Sequence, residues 1–286
     1  MGTSTAYGGP GGDTPLIPSW LGDRPETGPN SEQNGAPSSQ DGSVPPLGKP
    51  PIPMPADSSR FTGARSNFTR FARSGGRDRA SLGRAISSYV STSTGGARQA
   101  AQRMGASRGA GARLLGFLSD ANARGMQAAL REFNLDAMAG RPISEVFVAL
   151  ADHICPGAGT VDEGIAREAY IETIIDLAGE GLANLDSFTL DQMDTVFELY
   201  ATHAIEARIC NDIGTKVVTM PDNAQVARQV EKQLQDFIRG AVSDALTRAR
   251  ESRPSITNDQ VLSFVDSVYE SAFSILKSLG DAEADQ

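Results

Sequence analysis

The stretch Thr189-Leu190-Asp191-Gln192-Met193-Asp194-Thr195-Val196-Phe197-Glu198-Leu199-Tyr200 carries a helix start and a helix period together. Thr189 and Gln192 have the spacing of a capping box, in which two side chains satisfy amides that the first helical turn leaves without partners. Met193, Val196, Phe197 and Tyr200 then recur on one helical face. The same pairing returns at Thr160 with Glu163, ahead of Val161, Ile165, Ile171, Ile174 and Ile175. It returns again at Thr257 with Gln260, ahead of Val261, Phe264, Val265, Val268, Ala272, Ile275 and Leu276. Asp222 is placed to cap a long helix with Val226, Val230, Leu234, Phe237, Ile238, Ala241 and Ala245 inward, ending before Pro254. Pro142 suits the first position of a further helix, with Val146, Phe147, Leu150 and Ile154 on one face and Pro156-Gly157 as its stop. No stretch makes a convincing period-two pattern. The chain therefore reads as all-α: an acidic bundle over residues 136–280, five or more helices in all, and a disordered tail at 281–286.

Upstream the signals weaken. Leu82, Ile86, Tyr89 and Val90 fall at helical spacing until Gly95-Gly96 interrupts them, and short helical segments follow around Ala97–Met104 and Arg113–Phe133. Glycines 105, 109, 111, 116 and 125 leave this Gly/Arg-rich part, residues 79–135, loosely specified. Residues 22–78 read as a disordered linker: Gly22 to Pro55 is rich in Pro, Gly, Ser, Asn and Gln, and Ser58 to Gly76 continues it with arginines among Phe61, Phe68 and Phe71. Together with a separate motif at residues 1–21, this makes a long Gly/Pro/Ser-rich N-terminal arm ahead of the bundle.

The net charge of −9 argues against a generic polyanion binder, but the average hides an uneven distribution. Residues 1–59 sum to −4, residues 60–131 to +11 with thirteen arginines and no lysine, and residues 132–286 to −16. Arg65, Arg70, Arg73 and Arg77, near aromatic rings, could follow a nucleic-acid backbone while bases stack. An acidic domain in the same chain, or an acidic partner, offers the same arginines bidentate carboxylates. Only Cys155 and Cys210 are present, which suits free thiols in a reducing compartment. The start has no apolar signal region and no run of 18 apolar residues occurs, so a cytoplasmic protein without a membrane span is expected.

Catalytic constellations are hard to find. Gly8, Gly9, Gly11 and Gly12 lack the Lys-Ser/Thr pair of a phosphate loop. His153, Cys155, His203 and Cys210 match no zinc spacing, and His203 lies on the apolar stripe of Val196 and Tyr200, where a core or boundary histidine is the ordinary outcome. No serine sits in a strained elbow. Asp186, Asp191, Asp194 and Glu198 are better explained by helix-start electrostatics and a solvated face than by a metal. No catalytic residue, metal or cofactor is assigned, and a non-catalytic protein is expected.

The informative segment is the start, Met1-Gly2-Thr3-Ser4-Thr5-Ala6-Tyr7-Gly8-Gly9-Pro10-Gly11-Gly12, followed by Pro15-Leu16-Ile17-Pro18-Ser19-Trp20-Leu21. A small second residue permits removal of Met1 and exposes the Gly2 amine. An α-amine deprotonates more readily than a lysine, so more of it is nucleophilic at cellular pH. Fully extended, residues 2–12 span at most about 40 Å and are slim enough to thread a cleft. Pro15, Leu16, Ile17, Pro18, Trp20 and Leu21 make an apolar anchor, with Trp20 as a pocket-filling side chain or as a group that docks on the chain's own helices. Myristoylation wants Ser or Thr where Ala6 stands.

These blocks resemble the QatB family of the Qat anti-phage defence system, encoded beside an ATPase, a QueC-like enzyme and a TatD-like DNase. The resemblance lies in Met1-Gly2-Thr3-Ser4, in Tyr7-Gly8-Gly9-Pro10-Gly11-Gly12, in Thr14 to Leu21, in Arg79 to Gly83 and in Gly95-Gly96-Ala97-Arg98. It implies that a QueC-like partner receives residues 2–21, with Thr3, Ser4, Tyr7 and the glycines in its cleft. It also implies that this partner joins a 7-deazaguanine carboxyl to the Gly2 amine. The ATPase and the DNase are further implied partners. The alternative is a nucleic-acid-binding adaptor acting through residues 60–131.

Overall fold

The computed structural model describes residues 58–285 apart from 158, 180–187, 215–217, 219, 254 and 255. The expectations for residues 1–57, including the whole N-terminal motif and most of the linker, lie outside the described residues. Ten α-helices and no strand occur among the described residues: α1 Thr62–Arg73, α2 Arg79–Ser88, α3 Ala97–Gln102, α4 Gly105–Arg124, α5 Met126–Arg131, α6 Ile143–Ile154, α7 Val161–Gly179, α8 Leu190–Ile213, α9 Ala224–Ser252 and α10 Val261–Ala284. The all-α expectation holds.

The three capping boxes form. Thr189 and Gln192 exchange bonds of 2.9 and 3.2 Å at the start of α8, and Thr160 and Glu163 exchange 2.9 and 3.3 Å bonds before α7. The Thr257 box closes more loosely, with its returning bond at 3.4 Å, and a single 3₁₀ turn at Asn258–Gln260 leads into α10. Asp222 is not the cap of α9. Asn223, one residue on, accepts from the amides of Gln225 and Val226 at 2.8 and 3.3 Å. Pro142 likewise stands one position before α6.

α8 lies between α7 and α9 and also meets α4, while α10 packs along α2, α9, α3 and α4. One apolar core runs through all of them, from Phe61 to Leu276, so residues 79–135 and the acidic bundle share an interior. α4 is a single helix of 20 residues despite its glycines. One of them has a clear use: a Cβ at Gly111 would lie 3.2 Å from the Tyr200 ring and 3.3 Å from that of Phe197, so the bare backbone lets α4 press against α8. Gly95 and Gly96 adopt φ of +87° and +116°, a left-handed turn that turns the chain from α2 into α3.

Three further expectations are corrected. Ser58–Gly76 is not disordered: a 3₁₀ turn at Ser58–Phe61 leads into α1, and Phe61, Ala64, Phe68, Phe71 and Ala72 are buried. Their spacing is helical, and the surrounding arginines and serines masked it. The tail at 281–284 is also helical, since α10 continues to Ala284 with Gly280 buried against α2. On α7, finally, Ile165 and Ile174 are buried but Val161, Ile171 and Ile175 are exposed. The inward face is built instead from Ala166, Ala169, Tyr170, Thr173 and Leu177, because a close helix contact favours small side chains with one ring over a row of isoleucines.

Candidate functional site

Most of the arginines between Arg60 and Arg131 find partners inside the fold. Arg79 pairs with Glu283 at 3.3 Å, Arg103 with Asp212 at 3.2 Å and Arg131 with Asp136 at 3.1 Å. Arg108 pairs with Asp266, and Arg124 with both Asp120 and Glu132. Arg113 donates instead to the Ile154 carbonyl, 2.8 Å away at the end of α6.

Arg65 is similarly committed. Its Nε donates to the Ile213 carbonyl at 2.6 Å and its Nη2 to the Asp212 carbonyl at 3.3 Å. A guanidinium there satisfies carbonyls that the end of α8 leaves unpaired and meets the negative end of its dipole. Arg70, Arg73 and Arg77 are exposed, and their side chains make no hydrogen bond or ion pair with another described residue. The four arginines read together in the sequence are therefore split: one belongs to the scaffold and three form a basic surface at the end of α1.

The centre of the arginine network is Asp212. Its carboxylate, 7 % exposed, accepts from the Tyr89 hydroxyl at 3.0 Å and from Arg103, and lies 3.4 Å from Arg208 Nε. Burial first, and Asp212 second, push the Tyr89 hydroxyl far above the usual phenol range. Arg208 also holds Asp162 of α7 at 3.0 Å. The second Asp162 oxygen accepts from the Ala106 amide at 2.8 Å, capping the start of α4 from another helix. Above this network Arg60, Arg65 and Arg103 surround the Phe61 ring at 4.7, 5.7 and 6.0 Å from its centroid.

His203 is buried, as its place on the stripe predicts, with Nε2 2.8 Å from Asp176 and Nδ1 3.5 Å from Gln235. His153 is exposed and meets the Phe133 ring. Burial pushes the Cys155 thiol up to about 11 and the Cys210 thiol up to about 12, so neither resembles an activated nucleophile. No group of three potential metal ligands occurs among the described residues. Asp194 and Glu198 pair with Arg250 and Arg239 at 2.9 and 2.8 Å, tying α8 to α9.

Sequence reasoning passed over Glu206. It lies beside His203 on α8, in a groove bordered by Glu168 and Glu172 of α7 and by Arg228, Glu231 and Lys232 of α9. Burial, then Glu231, Glu172, Asp176 and Glu168, raise its carboxyl to about 7. The only signal was an acid one turn from His203 on a mostly buried helix, which a charge count does not register. No helix among the described residues is long and apolar enough to cross a membrane.

The family model of the Qat anti-phage system associated protein QatB matches residues 95–276. Neither a curated protein nor a solved structure gives a match. The matched span runs from the Gly95-Gly96 turn into α10, and so excludes the N-terminal blocks that first suggested the resemblance. Because it covers well over half of the 286 residues, the chain belongs to the QatB family and is a component of the Qat anti-phage system, which implies partners within the same system.

Proposed function

We propose that this protein is the non-catalytic substrate and partner subunit of its system, working in the bacterial cytoplasm. A QueC-like enzyme takes residues 2–21, with Trp20 and its apolar neighbours outside the cleft and the slim segment Gly2 to Gly12 within it. The enzyme activates the carboxyl of a 7-deazaguanine at the expense of ATP. The neutral Gly2 amine attacks that carbonyl, an amide forms, the activating group leaves and the amine gives up its proton. The helical domain supplies assembly with the ATPase and the DNase. The observation that carries this reading is the sequence Met1-Gly2-Thr3-Ser4 ahead of a glycine-rich lead and the chain's only tryptophan, in a member of this family.

Co-expression with the QueC-like partner and its deazaguanine source, followed by intact-mass measurement, tests it. The expected result is a gain of one acylated base, placed on Gly2 in the first tryptic peptide and lost in Gly2→Pro. An unshifted mass with an active partner removes the acceptor role, and an adduct that survives Gly2→Pro moves it to another residue.

A second reading, the nucleic-acid adaptor, is supported by the exposed Arg70, Arg73 and Arg77 at the end of α1. It predicts DNA or RNA binding at low salt that weakens steeply as salt rises, with a log–log slope that falls by about 3 in the triple alanine variant. Absence of binding at low salt removes it.

A further inference from the structure

The groove over α8 has two ends of different chemistry. At one end an apolar cavity of about 120 Å³ lies among Phe68, Ile209, Ile213, Met220, Val230 and Leu234. At the other stand Glu168 and Glu172 of α7 and Glu231 of α9. Glu206 and Cys210 of α8, with Glu231, line both, so the two ends are continuous.

Between the helices, Asp162, Asp194, Glu198, Asp212 and Asp266 each answer an arginine, and unpaired acids such as Glu251 and Glu270 stand exposed on the surface. In the groove, the carboxyl groups of Glu168, Glu172, Glu206 and Glu231 make no hydrogen bond or ion pair with another described residue. Of the two cations beside them, Lys232 is turned to Asp236 at 3.5 Å, and only Arg228 remains. Four carboxylates gathered around an opening into an apolar cavity are complementary to a ligand that is cationic along its length and apolar at one side chain.

We infer that this groove docks a cationic amphipathic segment of a partner protein, with lysine or arginine side chains against Glu168, Glu172, Glu206 and Glu231 and one large apolar side chain in the cavity behind Met220. The docking is separate from the chemistry at Gly2 and stands or falls without it.

The groups that face Glu206 are Glu168, Glu172 and Asp176 of α7, His203 and Cys210 of α8, and Arg228, Glu231 and Lys232 of α9. The acids among them, together with burial, hold its carboxyl near 7, so much of it is protonated in slightly acidic solution. A cation set beside it favours the ionised form and must expel that proton. Docking therefore tightens as pH rises from 6 to 8, by about tenfold.

The test uses the full chain and a fluorescein-labelled synthetic peptide of lysine and leucine at helical spacing, read by fluorescence anisotropy. Glu172 and Glu231 are exposed, so Glu172→Gln/Glu231→Gln retains the fold, and it is expected to weaken binding about tenfold. Met220→Gln is expected to weaken it several-fold at the apolar end. Glu251→Gln/Glu270→Gln removes the same charge from exposed sites away from the groove and is expected to leave binding within about twofold. Glu206→Gln is expected to flatten the pH dependence. An equal loss in the Glu251/Glu270 pair would show attraction to net charge alone and overturn the inference. So would a lysine-only peptide that binds as tightly as the amphipathic one, or a wild-type affinity that does not change between pH 6 and 8.

Discussion

Asp212→Ala is expected to lower the unfolding free energy by about 3 to 5 kcal/mol, measured by urea denaturation followed by circular dichroism. The side chain is 7 % exposed and lies between Arg103 and Arg208, themselves 29 % and 12 % exposed. Removing it leaves the Arg103 guanidinium without its carboxylate and Arg208 with Asp162 alone, and takes the acceptor from the Tyr89 hydroxyl. An uncompensated buried charge is costlier than the loss of the pair's own attraction, which is why one substitution should do so much. Asp236→Ala is the contrast. Its partner Lys232 lies one turn away on the exposed side of α9, and a loss of about 0.5 kcal/mol or less is expected there. Equal effects at the two sites would mean that the Asp212 network is as solvated as the surface and does not hold the helices.

Gly83→Ala should remove about 3 kcal/mol in the same measurement, at the upper end of what overpacking usually costs. α2 and α10 cross with their backbones almost touching: a Cβ at Gly83 would lie 2.5 Å from the Gly280 carbonyl oxygen and 2.8 Å from Glu283 Cβ. From the other side, a Cβ at Gly280 would meet the Gly83 carbonyl oxygen at 2.7 Å. A flexible side chain can yield to such a contact, but a helix backbone moves only with the whole helix. Alanine is otherwise the better helix former, so a loss at Gly83 isolates the packing contribution. Gly240→Ala on α9, with nothing within 4 Å, should instead gain about 0.5 to 1 kcal/mol. A stabilised Gly83→Ala would mean that the two helices do not meet at this distance.

Where sequence reasoning succeeded, the signal was local. A capping threonine with its glutamine or glutamate, followed by apolar residues at helical spacing, announced α7, α8 and α10 from a few neighbouring residues. Where it failed, the cause lay far along the chain. Phe61, Phe68 and Phe71 stand in a segment whose composition resembles a disordered linker, and their burial depends on surfaces contributed by other elements, such as Tyr89 beside Phe61. Arg65 and Arg70 look alike in sequence, yet only Arg65 reaches the end of α8, 148 residues later. The groove was invisible for the same reason, since Glu172, Glu206 and Glu231 stand on three helices. Gly83 sits inside the Arg79–Gly83 block that carried the family resemblance, but the need for a missing side chain there emerges only when Gly280 is set against it.

That crossing joins the second helix of the described chain to the last one. During synthesis α2 emerges early and meets chiefly α1 until α10, its larger packing surface, has left the ribosome, so the fold closes late. A nonsense mutation or a protease cut that removes α10 would therefore leave the first helices exposed and prone to clump, rather than yielding a shorter working protein.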